Sequence, residues 1–214
     1  MSRLNKPIVA IIMATYNGEK YLSEQLDSIL NQRDVIVHLY ISDDGSTDNT
    51  LNIIQDYKDK YQKNFKNVFK VNFKHPAKNF LSILPKITDQ YEFYAFSDQD
   101  DVWYEDKLIT AISKIKEGND LYCGRTENVD KNLISIGYSP LFEFAPCFKN
   151  AIVQSIAGSN TMLFNQKIFN LLKTSFNLDV HAHDWWIYIL ATFSGHQVYY
   201  DPFPKIMYRQ HGNN

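Results

Sequence analysis

The stretch Phe93-Tyr-Ala-Phe-Ser-Asp-Gln-Asp-Asp101 joins a short apolar run to three carboxylates within four positions. Residues 93–96 predict a buried strand, so the acidic cluster lies where that strand ends. Carboxylates crowded in this way are unfavourable unless water, a helix terminus or a cation neutralises them. Oxygen ligands of this kind select Mg²⁺ or Mn²⁺, which bind through one or two carboxylates together with substrate phosphates. The stretch predicts a divalent metal site or, as the simpler alternative, an acidic loop in which Asp101 caps the following helix.

The residues before this stretch alternate between apolar and amphipathic segments. Runs rich in apolar residues predict strands at residues 8–13, 35–41 and 68–73, and the first run is continuously apolar, as is typical of a strand buried on both faces of a sheet. Apolar residues at helical spacing lie between these runs. This βαβαβ order indicates an α/β fold with right-handed crossovers and a parallel sheet covered by helices. Ligands bind such sheets at the carboxyl ends of the strands, and Asp43 and Asp44 follow the second run.

The second half of the chain is less regular. Its apolar runs predict two strands at residues 121–124 and 161–164 and a helix at residues 184–194. A closing pair of strands is predicted at residues 197–200 and 205–208, and the stretch from 128 to 150 is interpreted as loops. No repeat or linker divides the chain, so a single domain is expected.

The composition limits the classes of function. A net charge of −2 leaves no excess of Lys and Arg to neutralise phosphates, so nucleic-acid binding is not expected. Two cysteines, Cys123 and Cys147, cannot build a disulfide framework or a Cys-rich zinc site, which favours a reducing cytosol. No apolar run approaches the roughly 20 residues that span a bilayer. A cytoplasmic protein is therefore expected.

Two further carboxylates are candidates for chemistry. Asp43, at a strand end, can accept hydrogen bonds from a base edge or a ribose, whereas the turn Gly45-Ser-Thr-Asp48 is explained by turn and capping preferences alone. Asp184 opens the apolar run 185–190, which is typical of a helix cap, and a helix N-terminus would also keep a functional carboxylate ionised, so the two interpretations are compatible. A zinc site is not expected there, although two histidines are close, His181 and His183.

Five short motifs follow one another along the chain: Ala14-Thr-Tyr-Asn-Gly18, Ser42-Asp-Asp-Gly-Ser-Thr-Asp48, Ser97-Asp-Gln-Asp-Asp-Val-Trp103, His183-Asp-Trp-Trp186 and Tyr208-Arg-Gln-His-Gly-Asn-Asn214. Each motif is weak alone, but in this order they resemble the family 2 glycosyltransferases over nearly the whole chain. The last three resemble the bacterial rhamnosyltransferase-like branch, which builds surface polysaccharides. The resemblance implies a GT-A type fold with a mixed central sheet. Its Rossmann-like nucleotide-binding half would end near residue 120, and a smaller acceptor-binding half would follow at about 121–214.

The resemblance also implies roles for individual residues. The nucleotide would be held by six residues, Thr15, Tyr16, Asn17, Asp43, Asp44 and Asp98. Asp100 would bind a Mn²⁺ or Mg²⁺ ion that bridges the diphosphate, and His211 would be a second metal ligand. Asp184 matches the catalytic base, and the acceptor would contact Trp185 and Trp186. Together these roles imply a metal-dependent inverting glycosyltransferase, a hexosyltransferase of EC class 2.4.

The branch resemblance favours dTDP-rhamnose as the donor and leaves UDP-sugars open. The acceptor implied by the family is a hydroxyl of a saccharide or of a lipid-linked saccharide, with peripheral association at the cytoplasmic face of the membrane. The sequence leaves the nucleobase, the linkage and the oligomeric state undecided. Relatives commonly continue beyond the last motif, so a further C-terminal segment is also left open.

Other classes of protein fit parts of the pattern. Asp98-Gln-Asp-Asp-Val102 matches the Asp-x-Asp-x-Val pattern of haloacid-dehalogenase-like phosphatases, with Asp98 as nucleophile. Those enzymes usually open with that strand, whereas here a βαβαβ unit precedes it. A nucleotidyltransferase would carry a Gly-rich, basic loop after the first strand, which residues 14–19 lack. A non-catalytic nucleotide-binding module is the third alternative, and substitution of Asp184 separates it from an enzyme.

Overall fold

The computed structural model describes residues 6–211. The strands in this range are β1 (Ile8–Thr15), β2 (Ile36–Asp43), β3 (Phe65–Lys70), β4 (Phe93–Ser97), β5 (Val102–Trp103), β6 (Leu121–Gly124), β7 (Glu127–Val129), β8 (Ser135–Tyr138), β9 (Leu163–Asn165), β10 (Val198–Asp201) and β11 (Ile206–Arg209). The α-helices are α1 (Leu22–Leu30), α2 (Thr50–Lys60), α3 (Pro76–Ile83), α4 (Lys107–Lys116), α5 (Phe148–Ala151), α6 (Gln166–Lys173) and α7 (His183–Phe193). Short 3₁₀ helices cover Leu84–Lys86 and Ser159–Thr161.

The larger sheet has seven strands in the order β10-β6-β9-β4-β1-β2-β3. Strands β1, β2, β3 and β4 are parallel, as the βαβαβ pattern predicts. Strand β9 runs antiparallel to both β4 and β6, and β10 is parallel to β6. The mixed central sheet expected from the sequence is therefore confirmed.

The two faces of this sheet carry separate hydrophobic cores. Successive side chains of a strand point to opposite faces, so Ala10 and Ile12 of β1 join one core while Ile11 and Met13 join the other. Helices α3, α6 and α7 cover the first face, and α1, α2 and α4 cover the second. Burial on both faces is the physical reason that the β1 sequence is continuously apolar rather than alternating.

The smaller sheet has four strands in the order β5-β11-β7-β8. The predicted closing pair at residues 197–200 and 205–208 is wrong, because β10 belongs to the larger sheet and β11 to the smaller one. Two prolines, Pro202 and Pro204, lie between these strands, and their missing N–H groups cannot continue a ladder. The chain crosses between sheets here, and β11 then lies beside β5, directly after the 98–101 cluster.

One local expectation also needs correction, and two helices have starts that the chain specifies locally. Asp101 does not cap the following helix, since α4 begins after Asp106 and Asp101 is buried in other contacts. Helix α3 begins at Pro76, whose missing N–H suits a first helical turn. Helix α6 was not predicted, although Asn165 caps it by accepting from two backbone N–H groups. No helix within residues 6–211 is long and apolar enough to cross a membrane.

Candidate active site

A first cavity of about 540 Å³ opens at the carboxyl ends of β1, β2 and β4, where the parallel-sheet rule predicts it. Four of the six residues expected to hold a nucleotide line it, together with Asp100: Thr15, Tyr16, Asp44 and Asp98. The opposite wall comes from the loop before α3 and the start of that helix, namely Lys74, His75, Pro76, Asn79 and Phe80. The cavity therefore faces a group of carboxylates with a wall of mixed basic, polar and apolar side chains.

Asp43 is the hub of the turn that follows β2. Its carboxylate accepts hydrogen bonds from the Thr15 hydroxyl at 2.9 Å, the Gly45 N–H at 3.2 Å, the Ser46 N–H at 2.9 Å and the Ser46 hydroxyl at 2.5 Å. Gly45 has a φ of 86°, which glycine adopts without strain. Asp43 is only 1% exposed, so these contacts fix the shape of the cavity floor. Its contact with a nucleobase stays a prediction.

Asp44 faces the first cavity and also fixes its far wall. Its two carboxylate oxygens accept from the N–H of Phe73 at 2.5 Å and from the N–H of His75 at 3.2 Å. Asn17, which has a φ of 47°, accepts from the N–H of Thr47 at 2.9 Å through its side chain. Both residues thus join loops from different strands, and their direct role in nucleotide binding stays a prediction.

Gln99 is a site residue that sequence reasoning missed. Its amide oxygen accepts from the Tyr16 N–H and its amide nitrogen donates to the Tyr16 carbonyl, each at 2.9 Å. This reciprocal pair connects the loop after β1 to the acidic cluster after β4. The Tyr16 side chain is 53% exposed at the rim, where it can stack on a planar ligand. A long amide between two acidic residues was the available signal.

Asp100 and His211, the two predicted metal ligands, lie side by side. The Asp100 carboxylate is 2.8 Å from Nε2 of His211, although 111 positions separate them in sequence. The His211 ring stacks on Tyr21 at a centroid distance of 5.1 Å. Both residues line a third cavity of about 440 Å³ that shares Tyr16, Gln99 and Asp100 with the first. No group of three His, Cys, Asp or Glu side chains suited to a metal occurs in the described residues.

The donor set nevertheless fits a divalent cation. A carboxylate and an imidazole are hard or intermediate ligands that Mn²⁺ accepts, and ions of this type often complete their shell with substrate phosphates and water. Two protein ligands beside an open cavity would leave room for such substrate or water ligands. The contact between His211 and Asp100 brings the two predicted ligands together at one point of the cavity.

Asp98 lies on the boundary between the first cavity and a second cavity of about 550 Å³. Burial raises its pKa well above the ordinary value, and the neighbouring carboxylates Asp101, Asp100 and Asp184 raise it further. Such a crowded group favours the approach of a cation or of a hydrogen-bond donor. Its predicted contact with the ribose is consistent with this position and stays a prediction.

Asp184, the predicted base, lines the second cavity. It lies in the first turn of α7 and accepts from the Trp185 N–H at 2.7 Å. The alternative interpretation as a helix cap is wrong in detail, because Ala182 occupies the N-cap position. Burial raises the pKa of Asp184, opposed by hydrogen bonds from backbone N–H groups. A carboxyl with a raised pKa at a cavity wall is suited to proton transfer.

Trp185 and Trp186, the two predicted acceptor contacts, form hydrogen bonds outside the first and second cavities. The indole N–H of Trp185 donates to the carbonyl of Ala151 at 2.6 Å, and that of Trp186 donates to the Ser175 hydroxyl at 3.0 Å. Neither tryptophan is among the residues that line the first or second cavity. The acceptor-binding role of this pair stays a prediction without a contact in its support. The neighbouring His183 does line the second cavity, with its ring stacked on Phe80 at 4.2 Å.

Asp101 has a structural function that the sequence did not indicate. It is fully buried, accepts from the Asn160 side chain at 2.7 Å and accepts from the backbone N–H of Arg209 at 3.2 Å. Burial and the nearby Asp100 raise its pKa to about 7, opposed by these hydrogen bonds and by the charge of the buried Lys107. Asp101 therefore ties the acidic loop to β11.

Known proteins with a similar sequence or fold identify the family of this chain. The model of the family described as glycosyl transferase family 2 matches residues 10–177. The chain is 35% identical to the dTDP-rhamnosyl transferase RfbG of Shigella flexneri, in an alignment that covers 94% of this chain and 72% of that protein.

Two solved structures share the fold. A crystal structure of S. aureus TarS in complex with UDP-GlcNAc superposes with a TM-score of 0.75 at 23% identity, covering 97% of this chain. The mannosyltransferase PcManGT from Pyrobaculum calidifontis, in complex with GDP-Man and Mn²⁺, superposes with a TM-score of 0.68 at 16% identity over 97% of this chain. The chain spans 60% of the TarS chain and 57% of the PcManGT chain.

The likeness to TarS and PcManGT identifies the fold as GT-A. The family model matches more than half of the residues, and RfbG exceeds 30% identity over most of the chain. We conclude that this chain belongs to glycosyl transferase family 2.

Proposed function

We propose that this chain transfers a sugar from a nucleoside-diphosphate sugar to an acceptor hydroxyl, with inversion at the anomeric carbon. The observation that carries the proposal is the arrangement of two cavities. The first contains Asp100 and the residues after β1 and β2, the second contains Asp184, and both share Asp98 and Tyr208. A donor in the first cavity and an acceptor in the second would meet at this shared wall.

The donor would lie in the first cavity with its base against the loops after β1 and β2. Tyr16 offers an exposed ring for stacking, and Asp44 is within the lining. The identity to RfbG supports dTDP-rhamnose as the donor, and the likeness to the UDP-GlcNAc complex of TarS keeps a UDP-sugar as the alternative. The experiment below tests both nucleobases for this reason.

Asp100 and His211 would hold the Mn²⁺ or Mg²⁺ ion. A divalent cation at this position supplies Lewis-acid stabilisation for the charge that develops on the leaving diphosphate. The PcManGT complex, which contains Mn²⁺, supports this choice of metal. The protein contributes the carboxylate and the imidazole in contact at 2.8 Å and places them at the edge of the first cavity.

Asp184 would act as the general base. It would accept the proton of the acceptor hydroxyl as that oxygen attacks the anomeric carbon from the side opposite the leaving diphosphate, which inverts the configuration. General base catalysis of this kind contributes about 10²–10⁴ in rate. The raised pKa of Asp184 brings its affinity for the proton closer to what neutral pH requires.

The acceptor would be a saccharide, free or linked to a lipid, used in surface polysaccharide biosynthesis. The second cavity offers hydroxyl and amide groups suited to sugar hydroxyls, among them Thr126, Asn128, Ser139, Asn160 and Gln210. Apolar side chains are exposed on and around α5, including Phe144, Ile152 and Val153. Exposed apolar surface of this kind is suited to lipid contact, which supports peripheral association with the cytoplasmic face of the membrane.

Membership of the family excludes the haloacid-dehalogenase-like alternative with Asp98 as nucleophile. A module that binds nucleotide without turnover predicts different behaviour of Asp184, so the test includes this outcome.

The test compares wild type, Asp100→Ala, Asp184→Asn and the control Asp56→Asn, which makes the same chemical change on the exposed face of α2. Calorimetric titration with UDP and with dTDP, with and without Mn²⁺, should show metal-dependent binding that Asp100→Ala abolishes. Transfer from radiolabelled dTDP-rhamnose or UDP-sugar to a panel of aryl glycosides should fall about 10²–10⁴-fold in Asp184→Asn, with nucleotide binding retained. Absence of nucleotide binding by wild type would contradict the donor assignment, and full activity of Asp184→Asn would contradict the base assignment.

A further inference from the structure

Arg209 is buried where the C-terminal strand meets the candidate metal site. Its side chain is 1% exposed, yet it carries a permanent positive charge. Such a charge is tolerated in the interior only when hydrogen bonds and an opposite charge satisfy it. The partners of this guanidinium therefore indicate what the residue does.

The guanidinium joins three separate segments. Nε donates to the carbonyl of Asp100 at 2.9 Å, and one terminal nitrogen donates to the carbonyl of Lys131, in the β7–β8 turn, at 2.7 Å. The other terminal nitrogen forms an ion pair with Glu24 of α1. The planar fork of arginine can make these contacts simultaneously, whereas the single ammonium of lysine cannot.

The same arginine supports His211 through an aromatic ring. The guanidinium carbon lies 4.3 Å from the centroid of the Tyr21 ring, and that ring also stacks on His211. Arg209 thus contacts the backbone of one predicted metal ligand, Asp100, and precedes the other by two residues in sequence. Its own N–H donates to Asp101 at 3.2 Å, which fixes the direction of the chain toward His211.

We propose that Arg209, held by Glu24, is a positioning residue that keeps Asp100 and His211 next to each other and thereby sets the affinity of the site for a divalent cation. The inference rests on the proposed function for the identity of the metal ligands. It adds two residues, Arg209 and Glu24, that are not among the lining residues of the three cavities. Groups that orient metal ligands in this way typically contribute about 10- to 100-fold to metal affinity.

The test uses Arg209→Lys, which keeps the charge and loses the fork, and Glu24→Gln, which keeps the shape and loses the ion pair. Glu24 is more than half exposed, so Glu24→Gln is expected to fold even if Arg209→Lys does not. The matched controls are Arg33→Lys and Glu105→Gln, which alter a surface ion pair of the same residue types at 3.2 Å.

The first measurement is the affinity for Mn²⁺ in the presence of excess UDP or dTDP, determined by calorimetric titration. We expect it to weaken by about 10- to 100-fold in Arg209→Lys, to weaken in the same direction but less in Glu24→Gln, and to remain unchanged in the controls. Every variant should keep the wild-type far-UV circular dichroism and a cooperative urea unfolding transition in EDTA, which a general loss of structure would not allow.

The second measurement does not depend on the metal. The imidazole ¹⁵N and ¹H signals of His211, assigned by their loss in His211→Gln, should change in metal-free Arg209→Lys and Glu24→Gln and stay constant in the controls. Glu24→Gln with wild-type His211 signals and wild-type Mn²⁺ affinity would overturn the inference. If wild type binds Mn²⁺ with neither nucleotide, the proposed function fails, and the His211 signals alone decide the positioning role.

Discussion

Gly18 makes room for the Gln99 side chain, and its replacement by alanine should displace that side chain. A Cβ atom at Gly18 would lie 2.3 Å from the Gln99 amide oxygen and 2.6 Å from its amide carbon, which is shorter than real Cβ contacts. The φ of Gly18 is not positive, so alanine fits the backbone itself. The expected effect is therefore the loss of the reciprocal hydrogen bonds between Gln99 and Tyr16.

The size of the effect follows from those two hydrogen bonds. Each contributes about 1 kcal/mol net to the free energy of unfolding, so their loss costs about 2 kcal/mol. Alanine in place of glycine lowers the entropy of the unfolded chain and returns about 0.4–1 kcal/mol. Gly18→Ala should thus destabilise the protein by about 1–1.5 kcal/mol, which lowers Tm by about 2–6 °C in a chain of this size. Gln99→Ala should cost about 2 kcal/mol.

A double-mutant cycle measures this coupling directly. Urea unfolding, followed by tryptophan fluorescence, gives the free energy of unfolding for wild type, Gly18→Ala, Gln99→Ala and the double variant. The three atoms nearest to the added Cβ all belong to Gln99, so Gly18→Ala in the Gln99→Ala background should be neutral or stabilising by about 0.4–1 kcal/mol. Equal destabilisation by Gly18→Ala in both backgrounds would refute the steric explanation.

Three further predictions concern buried titratable groups. Burial lowers the pKa of His183 to about 3, so below about pH 6.5 the unfolded chain binds a proton that the folded chain does not. The free energy of unfolding should therefore decrease by up to about 1.4 kcal/mol for each unit by which the pH is lowered. Urea unfolding between about pH 6 and 4 should show a smaller pH dependence for His183→Phe than for wild type. Burial lowers the pKa of Lys107 to about 7, so stability should fall as pH drops from about 10 to about 7, and Lys107→Met should remove that dependence. Burial raises the pKa of the Cys123 thiol to about 12, while Cys147 is exposed. A maleimide should therefore label one thiol in the native protein and two in urea. Equal labelling rates of the two thiols in the native protein would contradict the burial of Cys123.

The parallel half of the fold could be predicted because its sequence signals are local. The apolar runs at residues 8–13 and 93–96 correspond to β1 and β4, since strands covered on both faces need side chains that are apolar throughout. Strand β11 was assigned to the wrong partner because pairing depends on where the chain goes after Pro202 and Pro204, which periodicity does not encode. Strand β5, with two residues, is too short to produce a period.

Within the candidate site, the sequence indicates which carboxylates are crowded together but not which distant residues contact them. The acidic residues after β4 are adjacent in sequence, so their crowding could be inferred. The approach of His211 to Asp100 could not be derived from spacing and came only from the resemblance to a family. The contacts of Gln99 and Arg209 depend on how separate loops meet, so no local pattern predicts them.

The 111 positions between Asp100 and His211 also determine when, during translation, the candidate metal pair first exists. A ribosome that has passed Ser97 has already made β1, β2, β3 and β4, the parallel part of the larger sheet. At about 5–20 residues per second, His211 follows about 5–20 s later. A nascent chain in that interval can begin to form its sheet but has only one of the two ligands, so it cannot yet compete for divalent cations through this pair.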